Sequence, residues 1–283
     1  MSKIREVLDC AIRDAEGNRK GGYVGKSGKI YPNYMHNEEW AEYKKMIPDE
    51  VKEKLKKETE GVPPKMACFG SSCRIAYDKL NSVEGVEFEK ILSTIVSRGM
   101  ANLDAYVKRG NLDIFVEAKC HEIYGSHRIV EVSEVYLPVF DKLQEFFTYA
   151  AEKSKKGYVK CSFKVKEQEI LHFDLKQLIC HFLGITAGLL NGAIKSKKVC
   201  FVYLIFNPHH IKDRICDKYR KKILDQYDKT IEEINLFDME KLFEAIFEYQ
   251  RCQNKDISHN YEGDIPEFEF FVADQDNGAR YFE

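Results

Sequence analysis

The alternation of apolar and polar residues is cleanest from Asn102 to Lys119, NLDAYVKRGNLDIFVEAK. Two runs of period two flank Gly110-Asn111, a two-residue hairpin signal. With that pair in the loop, the register follows. Leu103 faces Ala118, Ala105 faces Val116 and Val107 faces Ile114, an apolar face. On the other face Tyr106 meets Phe115, Lys108 meets Asp113, Asn102 meets Lys119, and Asp104 falls opposite Glu117. A slip of one residue would mix the two faces.

Other segments follow the helical period. Ile4, Val7, Leu8 and Ile12 share a stripe over residues 3–16, and Gly17 stops it. The glycine-rich stretch GNRKGGYVGKSGKIYPNY reads as a mobile loop. Its Gly25-Lys26-Ser27 looks like the end of a phosphate loop, but Lys20 stands where the first glycine belongs, and no buried strand precedes it. Residues 36–60 read as helix, broken near Pro48 with Asp49 as a cap, and Ser71 or Ser72 caps CRIAYDKL. Residues 84–97 fit strand or helix. Residues 137–154 read as helix and 158–166 as strand. Asp174 to Leu190 is a strong helix, with Gly184 and Gly188 on a stripe that permits close packing on a sheet. KVCFVYLIF, from Lys198 to Phe206, reads as a strand buried on both faces. Helices over 211–232 and 238–252 follow, and the tail from Ile265 supplies an edge strand.

The resulting fold class is α/β. Neither a repeat nor a low-complexity linker divides the chain, so 1–283 reads as a single elaborated domain. Its core runs from about 83 to 210, between helical regions at 1–82 and 211–283. No apolar run is long enough to span a bilayer, and the charged amphipathic N-terminus does not read as a secretory signal. Nine cysteines without a CxxC pair favour reduced thiols and a cytoplasmic setting. Cys68 with Cys73, Cys120-His121 and Cys180-His181 complete no zinc pattern.

The chemistry concentrates at Asp104 and Glu117. Directly opposed strand residues have Cβ atoms roughly 4.5–5.5 Å apart, where like charges repel. Such a pair calls for a shared proton or a cation. Lys119 points to the same face as Glu117, two residues on. One or two carboxylates with substrate phosphates commonly hold Mg2+. A salt-bridge cluster of Asp104, Lys119 and Glu117 on a solvated sheet face accounts for the same residues without a metal.

Asp104 with Glu117-Ala118-Lys119, a D…ExK set on adjacent strands, resembles the catalytic core of the PD-(D/E)XK nuclease superfamily, and in particular an uncharacterised bacterial subgroup. Leu103 stands where some members have proline. The resemblance implies a restriction-endonuclease-like core, a mixed central sheet flanked by helices, here with extra N- and C-terminal helices. It implies hydrolysis of DNA phosphodiesters with Mg2+ or Mn2+ held by Asp104, Glu117 and the Ala118 carbonyl. Superfamily members often add an upstream Glu, for which Glu87 and Glu89 are the candidates, Glu89 the preferred one. Lys119 would act at the attacking water or the phosphate. Gln177 resembles a Gln on the helix after the ExK strand, although His181 stands where one subgroup has Tyr. Asp174 with Gln177 also reads as a capping box. His121 and His127 are candidates to line the site. The implied partner is DNA, with no membrane, and a homodimer is compatible with the family. The alternative is an idle nucleic-acid or protein-binding module on the same fold. A net charge of −2 confines DNA affinity to local basic runs at Lys153–Lys156, Lys195–Lys198 and Lys218–Lys222.

Overall fold

The computed structural model describes residues 3–17, 21–94, 99–125, 127–253 and 264–275. Its N-terminal part holds helix α1 (Lys3–Ala15), hairpin β1 (Gly21–Val24) and β2 (Ile30–Met35), helices α2 (Asn37–Met46), α3 (Asp49–Lys54) and α4 (Lys56–Thr59), then α5 (Ser72–Leu80). From Gly21 onward the glycine-rich stretch is thus a hairpin rather than a loop, its residues 18–20 lying outside the described residues, and the N-terminal region is not wholly helical. Gly21 packs its α-carbon where a Cβ would lie 2.7 Å from the Pro32 carbonyl, so the glycine lets the two strands approach. Lys26 and Ser27 sit in the connecting turn with no helix after them, which removes the phosphate-loop reading. At the break near Pro48, Pro48 itself is the N-cap of α3, and Asp49 is the first helical residue, paired with Lys52. Ser71 caps α5 by accepting the Arg74 N–H.

The central sheet has five strands in the order β11-β10-β5-β4-β3. Strands β3 (Glu87–Ser93), β4 (Met100–Arg109) and β5 (Leu112–Lys119) form an antiparallel meander. The 84–97 ambiguity is settled as strand over Glu87–Ser93; residues 95–98 lie outside the described residues. Gly110 has φ 56°, as the first residue of a type II′ turn requires, and Ala105↔Val116 through Arg109↔Leu112 pair in the register read from that turn. Beyond them come a small antiparallel sheet of β6 (Val130–Ser133), β7 (Thr148–Lys155), β8 (Tyr158–Val165) and β9 (Gln168–Glu169), with α6 (Leu137–Lys142) before β7. The helix expected over 137–154 therefore covers only its first third. Pairing of β7 with β8 overrides helix propensity in the Ala- and Lys-rich remainder.

Helix α7 (Leu175–Leu190) carries the chain across to β10 (Lys198–Ile205), which pairs parallel with β5. Helices α8 (Asp217–Ile234) and α9 (Met239–Gln253) follow, and β11 (Glu267–Ala273) closes the edge parallel to β10. Among its described residues, the C-terminal region thus holds this strand as well as helices. Helix α7 rests on β3, β4 and α9, while α5 packs on β5 and β4. The fold class is α/β, with a mixed central sheet flanked by helices. From Asp113 to Lys119 every residue of β5 is buried. Being central in the sheet and covered by helices, this strand draws its alternate charged residues out of solvent along with the apolar ones. Among the described residues, no helix is long and apolar enough to cross a membrane. All nine cysteines are free thiols.

Candidate functional site

The two ladders of the meander place Glu89, Asp104 and Glu117 in one row across three strands. Phe88↔Ala105 and Lys90↔Leu103 bracket Glu89 and Asp104, and Ala105↔Val116 stops one step short of Asp104 and Glu117. Regular pairing is interrupted along this row. Glu89 takes the left-handed φ of 55°, uncommon for any residue but glycine. Asp104 Oδ2 accepts the Ala118 N–H at 2.7 Å, so a carboxylate serves that amide where the Leu103 carbonyl was expected.

The side chains of the row then part. Glu117 turns toward α7. Its Oε1 accepts from Lys119 Nζ at 2.5 Å and from Gln177 Nε2 at 2.7 Å, and its Oε2 lies 3.1 Å from His181 Nε2. Gln177 Oε1 accepts from Lys119 Nζ at 2.8 Å. Glu117, Lys119 and His181 are 3%, 5% and 2% exposed, so this cluster is not on a solvated face. Burial alone would raise the Glu117 carboxyl, but Lys119 and His181 outweigh it and hold it at about 2. Burial likewise disfavours the Lys119 cation, and the Glu117 carboxylate outweighs that, raising the ammonium above its ordinary range.

Asp104 and Glu89 turn instead to a cavity of about 320 Å³ that Glu58, Lys65, His121 and Glu122 also line. The Asp104 carboxyl is pushed well above the ordinary range, first by burial and then by the Glu117 charge, against Lys119 and the Ala118 N–H. The Glu89 carboxyl is raised by burial, then by Glu58 and Glu117. A cavity that crowds anions in this way favours a bound proton or cation. Glu87 does not reach it and pairs with Lys90 at 2.9 Å and Lys54 at 3.5 Å.

Gln177 forms one half of the capping box and also sits beside Lys119. Its main-chain N–H donates to the Asp174 cap at 2.9 Å, while its side chain leaves the capping box to join Lys119 and Glu117. His181, one turn on, is brought to the same carboxylate. His127 is drawn to Asp174 at 3.6 Å rather than to the cavity. His121 does reach the cavity wall, where its Nε2 lies 2.5 Å from Asp9 Oδ1. A larger cavity of about 860 Å³, lined by Glu16, Arg74, Asp78 and His210 among others, contains none of the site residues proposed from the sequence.

No family model matches the chain, and no curated protein or solved structure matches it.

Proposed function

We propose that the chain is a metal-dependent phosphodiesterase of the PD-(D/E)XK type acting on DNA, with its reaction in the cavity at Asp104 and Glu89. The reading is carried by one observation: two carboxylates from adjacent strands, Asp104 and Glu89, line the same cavity beside the Glu117–Lys119 pair. The hairpin, helix and parallel strand that follow agree with the restriction-endonuclease-like arrangement. The donor set is all oxygen, which suits Mg2+ or Mn2+. Asp104 and Glu89 would hold the ion, while Glu117, next in the row and expected from the sequence to share it, is turned to α7. A bound ion there supplies Lewis acidity to the phosphate and a lowered pKa to its water.

The chain's own residues do the rest. Glu117 keeps Lys119 protonated, and Gln177 fixes the direction of the ammonium. A fixed cation behind the Asp104 wall of the cavity would stabilise charge developing on a phosphate without reorganising. The basic runs lie on exposed surface, where Lys155 pairs with Glu131, Lys198 with Glu267 and Glu269, and Lys221 with Asp225. Lys153, Lys195 and Lys197 are also exposed and supply further positive charge for a DNA backbone.

The burial of Glu117 and Lys119, each satisfied by protein partners, favours a second reading, an idle binding module in which the D…ExK set is structural. DNA and RNA incubated with Mg2+ or Mn2+, and with a chelator, separate the two. The first reading expects ion-dependent cleavage that falls about 10²-fold or more in Asp104→Asn. Retention of nucleic acid without cleavage at any ion concentration supports the second and overturns the first.

A further inference from the structure

The Asp9 carboxylate is fully buried on the apolar face of α1, beside Leu8, Ala11 and Ile12. A charge in that position requires partners. Three separate segments supply them. Asn33 on β2 donates to Asp9 Oδ2 at 2.7 Å. His121, just past β5, places Nε2 2.5 Å from Asp9 Oδ1. Cys68, in the loop before α5, places Sγ 3.9 Å from the same oxygen. Among the described residues, Asp9, Cys68 and His121 are the one group of three metal-ligating side chains whose donor atoms all lie within 4.8 Å of one another.

We propose that Asp9, Cys68 and His121 bind a borderline-soft divalent ion, Zn2+ by its chemistry, on the wall of the cavity that Asp104 and Glu89 share. One sulfur, one imidazole nitrogen and one carboxylate oxygen make a zinc donor set and a poor magnesium one. Zinc bond lengths of roughly 2.0–2.3 Å in tetrahedral geometry put neighbouring donors about 3.3–3.6 Å apart. Sulfur and oxygen are already near that spacing. The imidazole and carboxylate would open by about 1 Å as the ion replaces the proton between them.

The surroundings are those of a held site. Asn33 fixes the Asp9 carboxylate from behind, as outer partners of metal ligands do. The Cys68 loop is tied to the same strand by the Phe69 N–H to Asn33 carbonyl bond at 3.1 Å and by a bridge between Tyr34 and Cys68. Gly70 leaves the space. A Cβ there would lie 2.0 Å from His121 Nε2 and 2.5 Å from Asp9 Oδ1, so no other residue admits both side chains. Cys68, Gly70 and His121 line the cavity, which leaves a fourth coordination position open to solvent, as in zinc sites that keep a water. A cysteine nucleophile is the competing use of these residues, and the order is wrong for it. The carboxylate stands between thiol and imidazole, whereas activation needs the imidazole in the middle.

The test uses the purified full chain, stripped with chelator, then dialysed against Zn2+ or Co2+, with bound metal measured by elemental analysis. One equivalent is expected, with a thiolate-to-cobalt charge-transfer band in the Co2+ form and a higher melting temperature than the stripped chain. Cys68→Ser and Asp9→Asn should lose the equivalent, and Cys68→Ser the band, while Asp104→Asn keeps both. This outcome is independent of whether DNA is cut. A wild-type chain with no charge-transfer band overturns the proposal whether or not the variants fold. So does a stoichiometry that Cys68→Ser leaves unchanged.

Discussion

Lys119 Nζ donates to Glu117 Oε1 across 2.5 Å with both side chains out of solvent. Two charges taken from water cost several kcal/mol each, and their attraction offsets this only when the remaining donors and acceptors are also satisfied. Gln177 meets that condition by accepting from the ammonium and donating to the carboxylate at once. Lys119→Met leaves the carboxylate buried without its main cation, and the expected loss is about 3–5 kcal/mol. Glu117→Gln strands the ammonium and should cost a similar amount. The double change Glu117→Gln, Lys119→Met removes both charges and should recover most of the loss. Urea unfolding of the four proteins measures this, and additive losses in the double variant would show that the pair is not coupled.

Asp174 and Gln177 allow the two duties of one glutamine to be separated. Asp174→Ala removes the acceptor for the Gln177 main-chain N–H and should cost about 1 kcal/mol, the usual loss of an N-cap. It leaves the Gln177 side chain on Lys119. Gln177→Ala keeps the cap and frees the ammonium's direction. If Lys119 acts on phosphate, Gln177→Ala should lower turnover on DNA more than Asp174→Ala does at matched stability. Equal turnover in the two variants would confine Gln177 to a structural role.

How far the sequence reaches is clear from these same residues. The hairpin was legible because a two-residue turn with glycine in its first position admits one register, and period two then sorts each side chain. The strand over Lys198–Ile205 was legible because a short apolar run rich in β-branched and aromatic residues, closed by Asn207-Pro208, suits a strand covered on both faces. Spacing along a strand does not say where a side chain ends, however. Asp104 and Glu117 share a row, yet one turns to a cavity and the other to α7, because the ladder stops at Ala105 and Val116. His181 carried a usable signal, four residues beyond Gln177 and therefore on the same helical face. Asp9, Cys68 and His121 carried none as a set, since no spacing rule joins three distant segments. The one trace was a carboxylate between apolar helix positions, at Asp9. The residues 148–155 misled in the opposite sense, because strand pairing with β8 decided what local composition left open.

His172 gives a pH dependence that does not involve the candidate site. Burial is the main reason its imidazole titrates below the ordinary value, with the Glu233 carboxylate opposing and Lys229 and His127 adding to the effect. Its Nδ1 is buried with no hydrogen-bond partner among the described residues. The unfolded chain therefore takes up this proton at higher pH than the native one. The stability His172 allows is complete above the ordinary imidazole pKa of about 6.5 and is lost as pH falls through the lower native value. Melting temperatures between about pH 8 and 5 should fall more steeply for the wild-type chain than for His172→Gln. Parallel profiles would mean that the native imidazole titrates normally.

Gly184 tests how closely α7 must approach the sheet that positions Glu117. A Cβ at this position would lie 2.5 Å from the Ala101 Cβ and 3.1 Å from the Leu92 Cβ. Neither neighbour is the end of a flexible side chain, so the helix or the strands must move. Overpacking of this kind typically costs about 1–3 kcal/mol, and Gly184→Ala should sit at or above the upper end, despite alanine's better helix propensity. The shift also has a direction. Gln177 and His181 lie on the same helix two turns and one turn before Gly184, so lifting α7 from β3 and β4 loosens their hold on Glu117. A crystal structure or amide-exchange profile of Gly184→Ala should therefore show longer Gln177–Glu117 and Gln177–Lys119 contacts, or faster exchange at Lys119. Gly184→Ala with wild-type stability would mean that the helix stands further from the sheet than these distances give.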